Sequence, residues 1–185
     1  MSRSSRRVAL AVVLAAALIA TYYLSRKSNS TAPNDVSSIA GRLGPQDIYP
    51  DASATPGATN PEITQANIAE TICSPHWSTK RVRPPQQYTS QLKREQLDQR
   101  QRADEDPRDY EEDHLIPLEL GGNPRDPKNL WPEPYATSIP EGGARFKDRV
   151  ENYLHDQICA GNISLAVAQQ RIANDWYRVY VTSVR

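Results

Sequence analysis

This sequence predicts a small α+β domain, mainly helical, with strand character confined to its centre and a membrane anchor or signal ahead of it. Three observations carry that expectation. Apolar residues recur at helical spacing in two C-terminal segments. The stretch 110–135, YEEDHLIPLELGGNPRDPKNLWPEPY, breaks that period with a short alternation, prolines and a Gly-Gly pair. The N-terminus carries an apolar run behind a basic flank.

Taken in chain order, Arg3, Arg6 and Arg7 precede the apolar run 8–24. Its 17 residues lie at the lower limit for a bilayer-spanning helix. Tyr22 and Tyr23 near its end suit the membrane interface, and the arginines favour a cytoplasmic N-terminus. The other reading is a cleaved signal peptide, for which Ala15 and Ala17 offer a small-x-small site. Residues 1–27 are therefore a signal-anchor or signal peptide. The membrane is the partner expected for 8–24, and the rest of the chain lies outside the cytoplasm, secreted if the N-terminus is removed. Residues 28–60, rich in Ser, Thr, Asn, Pro, Ala and Gly, read as a flexible stalk.

The globular part is expected over 61–185. It holds 16 Lys/Arg against 19 Asp/Glu, a mildly acidic balance that weakens the case for bulk electrostatic attraction to nucleic acid. PEITQANIAETIC has apolar positions Ile63, Ala66, Ile68 and Ile72 compatible with a short helix, with Pro61 in its first turn. SPHWSTKRVRPP follows as an extended or turning segment, in which His76 is a surface residue. Ser90 caps a second, mostly solvated helix, SQLKREQLDQRQ, with Leu92 and Leu97 as its large apolar residues. ADEDPRD is a charged loop.

In the central stretch, Pro117 keeps the first apolar alternation from being a central strand, so it is read as an irregular edge strand. Gly121-Gly122 and NPRDP supply a turn, and Asn129 opens a second short strand. The helix 145–158 follows, its face set by Phe146, Val150, Tyr153, Leu154 and Ile158, with Gly161 just past its end. Ser164 caps the last helix, with Leu165, Ala168, Ile172, Trp176, Val179 and Tyr180 as its buried stripe. Cys73 and Cys159 lack zinc-knuckle partners. In an exported chain the expectation is one disulfide joining the two ends of the domain, two unrelated thiols being the alternative.

The array Asp113-His114, Ile116-Pro117, Gly121-Gly122 and Asn129-Leu130 resembles the HNH, or ββα-metal, endonuclease motif. From about residue 56 onward the chain also looks like a group of small exported bacterial proteins of HNH type. The resemblance implies a ββα core over about 110–159 and metal-dependent hydrolysis of phosphodiesters, with nucleic acid as partner, DNA ahead of RNA. No protein partner is inferable. By that resemblance His114 is the general base and Asp113 holds a divalent cation, magnesium first, with manganese or zinc as alternatives. Asn129 completes the metal site or orients His114.

The family pattern places a third His or Asn three residues before a lysine on the helix, and here that position, ahead of Lys147, is Ala144. Glu133, Asp148 and, more weakly, His155 are the candidate substitutes, as ligands or supports. Lys80, Arg81, Arg83 and Lys147 are candidate phosphate contacts, and Trp131 is assigned to the core. The alternative function is a catalytically inactive envelope module of the same fold, binding a protein or cell-wall partner.

Overall fold

The structure is a computed structural model and describes Leu43, residues 45–100 and residues 105–185. The expected anchor and most of the expected stalk lie outside the described residues. Among the described residues no helix is long and apolar enough to cross a membrane.

Among the described residues the fold is α+β, with three α-helices and one two-stranded antiparallel sheet. Helix α1 spans Gln86–Arg100, strand β1 Tyr110–His114, strand β2 Leu130–Pro134, helix α2 Ala144–Cys159 and helix α3 Leu165–Val179. The strand, turn, strand, helix order expected for the centre is thus present.

The core is built on the α2–α3 pair. Val150, Leu154 and Ile158 repeat every four residues along α2 and are buried, which sets one stripe of that helix against Leu165, Ala168, Ile172 and Trp176 of α3. The turn between them follows from two residues. Gly161 takes φ +75°, a conformation open to glycine at the C-terminal end of a helix. Ser164 caps α3 by accepting from the Val167 N–H at 3.3 Å. Trp176 is fully buried and donates its indole N–H to the Ile48 carbonyl at 2.8 Å. Burial of a side chain that large contributes roughly 2–3 kcal/mol. Cys73 and Cys159 form a disulfide that ties the 61–76 segment to the end of α2, as expected.

Three boundaries differ from the sequence reading. Residues 61–76 form a series of turns rather than a helix. Polar side chains there take backbone groups that a helix would need: Asn67 accepts from Thr64 N–H and donates to the Glu62 carbonyl, while the Thr71 hydroxyl donates to the Asn67 carbonyl. Helix α1 starts four residues before Ser90, because Pro84-Pro85 presets the entry and the Pro85 carbonyl accepts from Tyr88 and Thr89. The part of the expected stalk over 45–60 is packed on the domain. Ile48 is buried, Gly57 N–H donates to the Lys128 carbonyl, and Thr59 forms a bridge with Gly122. Backbone groups hold this segment more than apolar side chains do, so its composition concealed it.

The two strands pair with Asp113 opposite Trp131 and His114 opposite Leu130. Pro132 and Pro134 lie opposite Glu112 and Tyr110. The irregular strand expected through 115–120 ends at His114 instead, and Leu118–Leu120 form a 3-10 turn. Gly122 is required where it stands, since a Cβ there would lie 1.8 Å from the Ile116 carbonyl oxygen.

Candidate active site

Side chains alternate along β1, so Glu111 and Asp113 share one face while Tyr110, Glu112 and His114 share the other. The first face meets α2 and the second meets α1. His114 ends the strand where the two environments join.

The His114 ring is 3% exposed, and its Nε2 lies 3.1 Å from the Pro124 carbonyl. A carbonyl only accepts, so in the neutral ring Nε2 carries the hydrogen and Nδ1 keeps its lone pair. Burial lowers the imidazole pKa, and the charges of Arg83 and Lys147 act in the same direction against the opposing pull of Asp113. The ring is therefore a neutral base at physiological pH.

Asn129 braces the loop that holds this ring. Its amide oxygen accepts from Ile116 N–H at 2.9 Å and Ala58 N–H at 3.3 Å, and its nitrogen donates to the Ile116 and Asn123 carbonyls. Both lone pairs are engaged and the side chain is fully buried. Asn129 thus spends its hydrogen bonds shaping the β1–β2 connection.

Lys147, a candidate phosphate contact by sequence, has a fully buried side chain. Its ammonium donates to Asp113 Oδ2 at 2.5 Å, Glu151 Oε1 at 2.5 Å and the His114 carbonyl at 2.9 Å. Glu133 Oε2 stands 3.8 Å away. Burial alone would lower the lysine pKa, but the three carboxyl groups raise it well above its ordinary value. Burial pushes Asp113 up, yet Lys147 and hydrogen bonding reverse this and hold it at about 2. Burial raises Glu133 strongly and brings Glu151 to about 8. The ammonium draws Asp113 down while burial favours the protonated forms of Glu133 and Glu151, which limits the charge the buried site carries.

Asp113, Glu119, Glu151, His114, Thr79 and Arg83 line a cavity of about 90 Å³. Its donors are hard oxygens with one imidazole, the chemistry that suits magnesium, which keeps several of its waters and needs only one or two carboxylates. The Lys147 ammonium already holds Asp113 Oδ2 and Glu151 Oε1. Among the described residues, the one trio of candidate ligand atoms within 4.8 Å is elsewhere, at Cys73, His155 and Cys159. There the two sulfurs are joined to each other and are not thiolates. His155 belongs to that corner, with Nε2 2.9 Å from the Ile72 carbonyl, and does not join the Asp113 cluster.

Asp148 stands near enough to Asp113 for burial and that charge to raise its pKa, but it does not line the cavity. Of the basic group, Arg83 borders both this cavity and a larger groove beside α1, whereas Lys80 and Arg81 are exposed and border neither. Ala144, the position of the family's third ligand, is the buried first residue of α2, and the helix offers Lys147 and Glu151 further along instead. Glu119 and Glu112 were not singled out from sequence as site residues. For Glu151 the i,i+4 spacing from Lys147 was the available signal.

Comparison with protein-family models, curated proteins and solved structures finds no match to this chain.

Proposed function

We propose that this chain is a metal-dependent nuclease of HNH type that hydrolyses phosphodiesters of DNA or RNA, DNA ahead of RNA, outside the cytoplasm. The observation that carries the reading is His114: a buried neutral imidazole, pinned through Nε2, at the junction of two cavities that share Arg83. Its Nδ1 takes the proton from a water that attacks phosphorus, and the bond to the leaving 3′ oxygen breaks. Arg83 neutralises the non-bridging phosphate oxygens. A divalent cation, magnesium first, would be held by Asp113 with Glu119, and would supply charge neutralisation at the phosphate and the leaving oxygen. Export rests on the N-terminal apolar run, and the disulfide is in keeping with an oxidising compartment.

The test is cleavage of supercoiled plasmid and single-stranded DNA by full-length protein with magnesium or manganese. Chelator abolishes the activity, and His114→Ala reduces it by about 100-fold or more. Equal rates for wild type and His114→Ala sink the reading.

A second reading, a non-catalytic envelope module binding a protein or cell-wall partner, is favoured by one observation. The Lys147 ammonium already stands among the carboxyl groups of Asp113, Glu151 and Glu133. Calorimetric titration with magnesium and manganese separates the two: absence of binding up to millimolar concentration supports the module.

A further inference from the structure

The larger groove lies between α1 and β1 and encloses about 470 Å³, inside the range of small-ligand sites, roughly 300–1,000 Å³. Gln86, Thr89, Ser90 and Lys93 line one wall. They recur at the i, i+3, i+4, i+7 spacing of a single helix face. A helix face laid on a strand is ordinarily apolar. On α1 that is true only further along, where Leu97 packs with Leu43 and Tyr110. Before Leu97 the same face is polar and opens onto the groove.

Glu111, Glu112 and His114 form the opposite wall. Glu112 is 9% exposed, and both its carboxyl oxygens are buried without a hydrogen-bond partner. A buried polar group without a partner costs about 1–3 kcal/mol, a cost that a ligand bearing matching groups removes. A carboxyl group turned towards an open groove matches the hydrogen-bonding edge of a nucleobase. Lys93 is committed to the Pro107 and Tyr110 carbonyls at 2.6 and 2.7 Å, so it orders the wall and is no free phosphate hook. Tyr135, 39% exposed, lines the groove and offers a stacking surface. Arg83 and His114 border both this groove and the smaller cavity, which puts a phosphate at the junction and the attached nucleoside in the groove.

We propose that the α1–β1 groove is a subsite for one unstacked nucleotide next to the phosphate at His114, making single-stranded nucleic acid the preferred ligand. The inference rests on the nuclease reading and deepens it. A base paired in a duplex enters such a groove only after leaving its stack, at a cost of a few kcal/mol.

Fluorescence anisotropy of full-length protein in chelator, with a labelled single strand of about 12 nucleotides and with its blunt duplex, tests this without cleavage. The single strand binds about tenfold or more tightly than the duplex, as expected from one base contact of 1–3 kcal/mol. Ser90→Phe, which fills the groove, removes that preference, and Gln86→Trp, at an exposed helix position, does the same if the first variant fails to fold. Equal affinity for the two forms, or an unchanged preference in a folded groove-filling variant, overturns the proposal. Failure of the nuclease reading looks different. A strand preference abolished by the variants, with no cleavage under any metal, keeps the subsite and removes the enzyme. Cleavage of both forms at rates indifferent to Ser90→Phe keeps the enzyme and removes the subsite.

Discussion

Lys147→Met removes an ammonium from a fully buried position while leaving side-chain volume nearly unchanged, so the loss is electrostatic rather than a cavity effect. Two contributions disappear. Asp113 is held at about 2 against an ordinary 3.8, and at 1.36 kcal/mol per unit this is roughly 2 kcal/mol of stability. The His114 carbonyl also loses the donor it has at 2.9 Å, a further cost of about 1–3 kcal/mol. The expected destabilisation is therefore about 3–5 kcal/mol, the range found when one partner of a buried ion pair is removed. Its pH dependence has a defined sign. A depressed carboxyl stabilises the fold above its ordinary value, and that contribution is lost as pH falls through about 2. Wild type and variant thus differ most near pH 6, and by roughly 2 kcal/mol less near pH 2, where only the loss at the His114 carbonyl remains. Urea unfolding followed by tryptophan fluorescence at both pH values reads this directly. A difference below about 1 kcal/mol at pH 6, or the same difference at both pH values, refutes the account of Lys147 as the buried counter-charge.

Glu112→Gln is expected to stabilise the protein. The wild-type carboxyl titrates near 4.5 when unfolded and at about 8 when folded, so wild-type stability falls as pH rises through that window, and at pH 7 the variant is ahead by about 3 kcal/mol. Unfolding curves at pH 5 and pH 7 that keep the same pH slope in the variant would show that Glu112 does not titrate this way. Reducing the Cys73–Cys159 bond, which spans 86 residues, lowers stability by about 4 kcal/mol. An unchanged urea midpoint after complete reduction contradicts that expectation.

Helices α2 and α3 were legible because their apolar residues recur at one period and each has a local stop or cap, Gly161 and Ser164. The pairing of Cys73 with Cys159 followed from compartment and number. The turns over 61–76 were not legible, since the apolar spacing there is compatible with a helix while Asn67 and Thr71 divert the backbone hydrogen bonds. At the site, the Asp113-His114 pair and Asn129 were visible as a pattern, but the pattern did not say that the amide of Asn129 is spent on the loop.

What the sequence determined by itself is local: the helix stripes, the caps, the two short strands around Gly121-Gly122, and the placement of Asp113 and His114 on one strand. What only the tertiary structure decided is which charges meet. Lys147 and Glu151 become buried partners of Asp113 because α2 packs on one face of β1, and Glu112 is sequestered because α1 covers the other. Charge state in a protein interior depends on neighbours distant in the chain and on lost solvation, and neither is encoded in the spacing of residues along one segment.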